Sequence, residues 1–431
     1  MVKVITYGTY DLLHFGHIRL LERAKALGDY LIVGVTADGF DKARGKINVQ
    51  QTLMERIEAV RATGLADEII VEEYEGQKID DILRYNVNIF AIGSDWLGRF
   101  DYLKEYCEVV YLERTKGVSS TELRSQNNSL KLALVGDESW FLTKFERESH
   151  FVNGIEITGI YTSMDDYSRA IETSDAVFLN SKPQDHYNQI KEALMRDKHV
   201  LCDTLITTSE SEWDELMSLA NERGCILMDG LRTAFSTAYY RLLLLIKSGI
   251  IGEVISVDAS CTSLRDKDLT KEELKNVWNS LCAWGPTAML PVFQILGTKY
   301  TNKQIISRII DADSMYDSFT KVTFVYPKAV ASIKVGKGVK TEGDLVVSGT
   351  EGYAYVPAPW WKTEYFEIRR EDISQNKRYY YQLDGEGIRY ELVSFLKAIE
   401  GLNKNVYVSP DVSRAIVRVI EDFYSGVLTT I

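Results

Sequence analysis

Short apolar runs of strand length alternate with stretches of helical period, twice over, and no other feature constrains the fold of this chain as tightly. In the first alternation residues 2–7, 30–35, 68–72, 89–92 and 109–112 read as buried strands, with helical stretches at 17–27, 52–62, 78–84 and 102–106 between them. Strands separated by helices need crossover connections, and right-handed crossovers produce a parallel sheet covered on both faces. The polar, turn-prone Gln126-Asn127-Asn128-Ser129 ends this pattern and predicts a domain boundary. A second alternation follows, with strands at 132–135, 155–161, 176–179, 199–202 and 225–228. Beyond it the strand runs 254–262, 321–326, 330–334, 345–349 and 365–369 have fewer helices between them, which predicts an open, largely antiparallel sheet. Residues 388–400 and 411–425 return to helical period. The predicted class is α/β: a Rossmann-like domain over 1–126, a second Rossmann-type domain over 130–255 and an α+β domain over 256–431.

At 431 residues the chain is long enough for two or three domains of roughly 150 residues each. Its 50 Lys and Arg stand against 62 Asp and Glu, a net charge of −12. That balance excludes a nucleic-acid-coating surface and requires a local basic cluster for any anionic substrate. Five cysteines (Cys107, Cys202, Cys225, Cys261 and Cys282) are scattered and never in C-x-x-C spacing, so neither a disulfide framework nor a zinc site is expected. Met1 leads directly into a strand pattern without a signal-peptide layout. The longest aliphatic run, 242–246, is bracketed by Arg241 and Lys247 and too short to span a bilayer. The expectation is a soluble cytoplasmic protein with no membrane and no nucleic-acid partner.

Two of the 5 histidines, His14 and His17, stand three residues apart after the first strand, in Gly8-Thr9-Tyr10-Asp11-Leu12-Leu13-His14-Phe15-Gly16-His17. Gly8 ends the strand, where a small residue lets a ligand approach the backbone. The helix beginning near His17 turns its free N–H groups to the same place. Two imidazoles at the C-terminal end of a parallel strand can donate to a phosphate chain and stabilise charge moving to a leaving group. Two unrelated surface histidines are the bland alternative, and a metal site lacks further Cys or His ligands nearby. A second cluster, Arg114-Thr115-Lys116-Gly117-Val118-Ser119-Ser120-Thr121, follows the last strand of the same domain. There glycine and hydroxyl residues form a loop and a helix cap, and Arg114 offers a fork for phosphate or a base edge. A capped helix after a turn is the structural alternative.

Together the two clusters resemble the HxGH nucleotidyltransferase superfamily, whose second motif is RTxGxST, and within it the glycerol-3-phosphate cytidylyltransferase family. The likeness covers about the first 125 residues, including Val4-Ile5-Thr6-Tyr7-Gly8-Thr9, Gly93-Ser94-Asp95-Trp96 and Cys107-Glu108-Val109-Val110-Tyr111-Leu112. The resemblance implies transfer of CMP from CTP to a small polyol phosphate, glycerol 3-phosphate first among acceptors, with Mg²⁺. The products are pyrophosphate and a CDP-polyol for cell-surface polymer synthesis. It places His14 and His17 on the CTP phosphates, and with Lys46 and Arg114 they make the implied catalytic set. Gly8, Thr9, Tyr10 and Asp11 fall in the loop that orders phosphates and acceptor. Arg44 and Arg56 fall on basic phosphate contacts, and Asp95, Thr115 and Ser119 on the nucleotide pocket. Arg44 stands where close relatives carry lysine, which keeps the charge and changes the donor geometry.

From about Lys131 onward the sequence is similar to the Gfo/Idh/MocA family of NAD(P)-dependent sugar and polyol oxidoreductases. The matching stretches include Asp175-Ala176-Val177, Pro183-Gln184-Asp185-His186, Lys198-His199-Val200-Leu201-Cys202 and Gly349-Thr350-Glu351-Gly352-Tyr353. The resemblance implies the fold, while the residues that carry its chemistry are missing. Of the three fingerprint glycines only Gly136 stands, with Glu138 and Phe141 in the other slots. The family's catalytic lysine falls on Thr204, its histidine on Thr287 and the acidic companion on Leu290, leaving NAD(P) chemistry without an acid–base agent. His186 and His199 read as structural positions. The aromatic runs Trp360-Trp361 and Tyr379-Tyr380-Tyr381 fit a homodimer interface or core packing. The leading expectation is a cytidylyltransferase whose second module is a degenerate oxidoreductase serving dimerisation or regulation. The alternatives are a bifunctional enzyme that also reduces a keto or aldehyde phosphate with NAD(P)H, and a module that binds without turnover.

Overall fold

Successive side chains of a strand point to opposite faces, and in the first strand, β1 (Lys3–Gly8), both faces are covered. Val4 enters a core on one side of the sheet and Ile5 a core on the other. Leu31 and Val33 of β2 (Tyr30–Thr36) join Val4, while Ile32 joins Ile5. Two covered faces are why these strands read as continuous apolar runs. With β3 (Glu68–Glu72), β4 (Ile89–Gly93) and β5 (Glu108–Leu112) they form a parallel sheet in the order β3-β2-β1-β4-β5. Helices α1 (Phe15–Lys25) and α2 (Leu53–Ala62) pack Leu21, Ala24, Ile57 and Val60 into the first core, and α3 (Gln77–Tyr85) packs Ile82 into the second. Strand order reverses between β1 and β4, the switch point at which open α/β sheets bind ligands.

The computed structural model describes residues 1–37, 49, 51–74, 76–113, 129–137, 139–152, 154–182, 184–266, 268–381, 383–401 and 407–431. It divides into two units, Met1–Ser129 and Leu130–Ile431.

The second unit begins with another parallel sheet. Its strands β6 (Leu130–Gly136), β7 (Ile155–Tyr161), β8 (Ala176–Asn180), β9 (His199–Asp203) and β10 (Leu227–Gly230) lie in the order β10-β9-β8-β6-β7. A larger sheet follows, built from β11 (Val254–Thr262), β12 (Asn302–Asp311), β13 (Tyr316–Val325), β14 (Val330–Gly336), β15 (Leu345–Gly349), β16 (Gly352–Val356), β17 (Tyr365–Arg369), β18 (Lys377–Tyr380) and β19 (Thr429–Thr430). Its order is β18-β17-β16-β15-β11-β14-β13-β12-β19, antiparallel except at β11–β14 and β12–β19. The α/β class and the largely antiparallel last sheet agree with the sequence reading. One long element escapes that reading: the helix Ser280–Leu296, which packs on β11, β13 and β14 and contains Pro286 and Pro291. Proline removes a backbone donor and reads as a helix breaker. Burial of most of this helix, including Leu281, Met289, Leu290 and Phe293, outweighs that loss.

Candidate active site of the first unit and a cleft in the second

After β1 the backbone passes through Tyr10 and Leu12 with φ of 54° and 47°, a left-handed conformation that disfavours residues with side chains. The turn is held from beneath. Arg56 of α2, 0% exposed, donates from Nη1 to the carbonyls of Thr9 and Thr36, both at 2.8 Å, and from Nε to that of Gln51 at 3.2 Å. The Gln51 backbone N–H donates to Asp11 Oδ1 at 3.0 Å, and Leu12 N–H donates to Gln51 Oε1 at 2.8 Å. Asp11 and Arg56 therefore set the path of the loop. The expectation of an Arg56 phosphate contact meets a guanidinium that lies under the loop, satisfied by backbone carbonyls. A Cβ on Gly8 would lie 3.0 Å from the Tyr10 ring, so the glycine makes room for that ring. Burial pushes the Tyr10 hydroxyl well above its ordinary pKa.

The loop delivers His14 to the N-cap of α1, where its Nδ1 accepts from the Gly16 N–H at 3.0 Å. An accepting Nδ1 puts the proton of the neutral ring on Nε2. One turn on, the His17 ring stacks on His14 with centroids 3.9 Å apart and planes at 22°, and the Tyr10 ring meets His17 edge-on at 5.6 Å. The fold thus brings Gly8, Thr9, Tyr10, Asp11, His14 and His17 together at one strand end and one helix N-terminus. That helix has no acidic residue in its first turn, so its N-terminal dipole is left for an anion. Asp95 stands exposed on the short 3₁₀ turn Ser94–Trp96 that follows β4, across the switch point. Arg44, Lys46, Arg114, Thr115 and Ser119 lie outside the described residues.

A buried polar cluster at β1–β3 was not legible in the sequence. Tyr7 Oη donates to Asp81 Oδ2 at 2.9 Å, Gln77 Nε2 donates to the same oxygen at 3.0 Å, and Thr36 Oγ1 donates to Glu72 at 2.9 Å. Lys78 pairs with Glu72 and sits 4.7 Å from the Tyr7 ring centre. The available signal was spacing: Gln77, Lys78 and Asp81 share the core-facing side of α3 with Ile82.

The second unit contains a cleft of about 850 Å³, within the range of small-molecule sites. Residues at the ends of β8, β9 and β10 and after β11 and β14 line it. After β6, Asp137 faces the cleft, and Phe141 is buried against Phe178 at 6.1 Å. The Arg232 guanidinium lies 4.5 Å from the Phe141 ring centre. Gly136 is required by packing, since a Cβ there would come within 2.2 Å of the Asn180 carbonyl oxygen. Thr204 and Thr287 line the cleft, whereas Leu290 is core; Glu138 lies outside the described residues.

His186 places Nδ1 2.7 Å from the Leu205 carbonyl and Nε2 3.0 Å from that of Ser181, and burial lowers its pKa. His199 Nδ1 accepts from the Ile226 N–H at 3.0 Å. Both hold backbone. Trp360 is core, with Nε1 donating to the Ser260 carbonyl at 3.2 Å, while Trp361 faces the cleft. Behind Gly230, Glu391 is 1% exposed and its oxygens accept no hydrogen bond among the described residues. Burial raises its pKa to about 8, opposed by the charge of Arg232 and reinforced by Asp203 and Asp229. Asp229, which accepts from Ser413 Oγ at 2.8 Å, is pushed up to about 6, again mainly by burial.

Residues 5–126 match the cytidylyltransferase-like family, and residues 131–231 match the NAD-binding Rossmann fold of the Gfo/Idh/MocA oxidoreductase family. The glycerol-3-phosphate cytidylyltransferase of Bacillus spizizenii is 49% identical over 130 residues, which are 30% of this chain and 100% of that protein. That of Staphylococcus aureus is 46% identical over 130 residues, 29% of this chain and 95% of its own. Among solved structures, the 3-ketoreductase KijD10 from Actinomadura kijaniata, in complex with NADP and TDP-benzene, has a TM-score of 0.61 at 16% identity. That match covers 70% of this chain and 99% of KijD10, and it is a likeness of fold. Among the described residues no helix is long and apolar enough to cross a membrane, and no three His, Cys, Asp or Glu are grouped to hold a metal ion. The chain belongs to the cytidylyltransferase-like family and is a nucleotidyltransferase, to which a second unit of Gfo/Idh/MocA oxidoreductase fold is joined.

Proposed function

We propose that the first unit transfers CMP from CTP to glycerol 3-phosphate, or a closely similar polyol phosphate, releasing pyrophosphate. The CDP-polyol would serve the synthesis of a cell-surface polymer such as teichoic acid. The observation that carries this reading is the stacked His14–His17 pair at an N-terminus without acidic residues, placed at the sheet's switch point. An oxygen of the acceptor phosphate attacks the α-phosphorus of CTP as the bond to pyrophosphate breaks in line, and no enzyme nucleophile is needed. His14 and His17 donate to phosphate oxygens that gain charge, and the α1 N-terminus adds its N–H groups. Lys46, Arg114, Thr115 and Ser119 are assigned to the same phosphates and to the nucleotide by the motif resemblance, and Arg44 by its place where close relatives carry lysine. In a chain of net charge −12 such a local basic set is what lets two anions meet. Mg²⁺ is assigned to CTP itself, entering as the magnesium complex of the nucleotide.

For the second unit we propose a degenerate oxidoreductase, divided as 130–255 and 256–431, that carries no NAD(P) turnover and joins two chains in a cytoplasmic homodimer. Threonines at 204 and 287 and the Asp137 carboxylate at the β6 turn support this reading. The test of the whole proposal is pyrophosphate release by the full chain from CTP and glycerol 3-phosphate. His17→Ala should keep the circular dichroism spectrum and lower kcat by roughly 10²–10³-fold. Near-normal turnover in that variant would remove the phosphate assignment, and equal kcat/KM with ATP would remove the choice of CTP. Loss of nicotinamide absorbance with a keto or aldehyde phosphate would restore the bifunctional alternative.

A further inference from the structure

The cleft of the second unit has no part in the chemistry above, yet its walls are specialised. Among the described residues that line it, six Lys and Arg stand against four Asp and Glu, a positive balance inside a chain of net charge −12. Some of these charges are spent on each other: Lys337 pairs with Asp266, and Lys362 with Glu386 at 2.6 Å. Lys182, Arg265 and Lys340 pair with no carboxylate among the described residues, and the last two lie on neighbouring segments. Their placement follows from topology. β11 and β14 are parallel neighbours with Thr262 opposite Gly336, so the segments leaving them, which carry Arg265 and Lys340, set out side by side. Lys340 Nζ reaches back to the Thr262 carbonyl at 3.4 Å, which ties the two segments together.

Beside these cations lies an aromatic wall. Trp284 and Trp361 are both half-buried and face the cleft, with ring centroids 4.9 Å apart. An indole pair kept partly open in a cavity suits a flat ring, since stacking on an aromatic face is favourable for any base. Two exposed cations without carboxylate partners among the described residues, on neighbouring segments that line the same cleft, suit phosphate. Asp137, at the turn after β6, also lines the cleft, with Lys182 following the neighbouring strand β8. The hydroxyls of Thr204, Ser263 and Thr287 offer partners for a polyol and no acid or base to transform it.

We infer that this cleft binds a phosphorylated pyrimidine nucleotide, the CDP-polyol product of the first unit, with its phosphates on Arg265 and Lys340 and its base on Trp284 and Trp361. The identity of the nucleotide, but not the anion-and-ring chemistry, rests on the reading of the first unit. The second unit then acts as a product-binding module, holding the activated polyol without turnover.

The experiment is calorimetric titration of the full chain with CDP-glycerol, alongside the double variant Arg265→Ala/Lys340→Ala. Both side chains are exposed, so the variant should fold normally, which its circular dichroism and unfolding temperature will report. Wild type should show two binding events per chain, and the variant should lose or weaken one of them by roughly 10- to 100-fold. Initial-rate pyrophosphate release should be unchanged. CMP should compete at the Arg265/Lys340-dependent site, while inorganic phosphate and glycerol 3-phosphate should compete poorly because they lack the ring. A single event in wild type, or two unaltered events in the variant, overturns the inference. Equal competition by inorganic phosphate overturns the nucleotide assignment, and displacement of CDP-glycerol by NADP⁺ in preference to CMP makes the cleft a dinucleotide site. If wild type releases no pyrophosphate from CTP while Arg265/Lys340-dependent CMP binding persists, the reading of the first unit fails alone. If turnover is intact and that binding is absent, this inference fails alone.

Discussion

Glu391 shows how a single side chain can tilt the pH response of the whole second unit. Its carboxyl is buried, accepts no hydrogen bond among the described residues, and holds its proton up to about pH 8, against an ordinary value of 4.5. A raised carboxyl pKa in the folded state means that the unfolded chain releases its proton first. Stability contributed by this group is therefore greatest at low pH and declines as pH rises from about 4.5 to about 8, then levels. Asp229 adds a slope of the same sign between 3.8 and about 6. Glu391→Gln, which keeps the shape and cannot ionise, should leave the unfolding temperature near pH 5 almost unchanged. At pH 9 it should raise stability by on the order of a few kcal/mol. An unchanged pH profile would show that Arg232 keeps the wild-type group ionised. Gly8 makes a separate case. Its substitution by alanine presses a methyl against the Tyr10 ring and displaces the edge contact on His17. Gly8→Ala should cost roughly 1–3 kcal/mol and depress kcat as well, measured by denaturant unfolding and pyrophosphate release. Full activity would mean that the ring moves without disturbing the histidines.

At the scale of the element, α1 begins on a histidine that has two duties. As N-cap, His14 satisfies the Gly16 N–H, and as a ring it stacks on His17. Asparagine caps a helix at least as well as histidine and has no ring. His14→Asn should therefore unfold within about 1 kcal/mol of wild type, yet lose on the order of 10²-fold in kcat. His14→Ala should lose both cap and turnover. Retained turnover in the asparagine variant would reduce His14 to a cap. The start of this helix was legible because the H-x-G-H spacing marks it locally; the sequence places it near His17, and the structure begins it at Phe15. The helix Ser280–Leu296 was not legible. Its Gly285, Pro286 and Pro291 argue locally against a helix, and only the apolar faces of β11, β13 and β14 reverse that argument.

For the molecule as a whole, two units with separate cores imply two unfolding transitions. In the Arg265→Ala/Lys340→Ala variant, CTP with Mg²⁺ should raise the midpoint of the first unit and leave the other unmoved, since a ligand stabilises only the fold that binds it. A scanning calorimetry trace with one transition that shifts entirely with CTP would show the units to be thermodynamically coupled. Sedimentation at micromolar concentration tests the proposed homodimer. The α/β class, the parallel sheets and the place of the H-x-G-H motif after the first strand were determined by the sequence alone, because periodicity and motif are carried by neighbouring residues and need no knowledge of what lies across the core. Other features were decided only in three dimensions: Arg56, expected on a phosphate, donating to the Thr9 carbonyl beneath the loop, Tyr10 laid over Gly8, and Trp361 facing a cleft while Trp360 is core. The adjoining of Arg265 and Lys340 belongs with them, since it follows from the pairing of β11 with β14. Each of these joins residues far apart in the chain, and which distant groups meet is settled by burial and hydrogen-bond satisfaction summed over the folded whole.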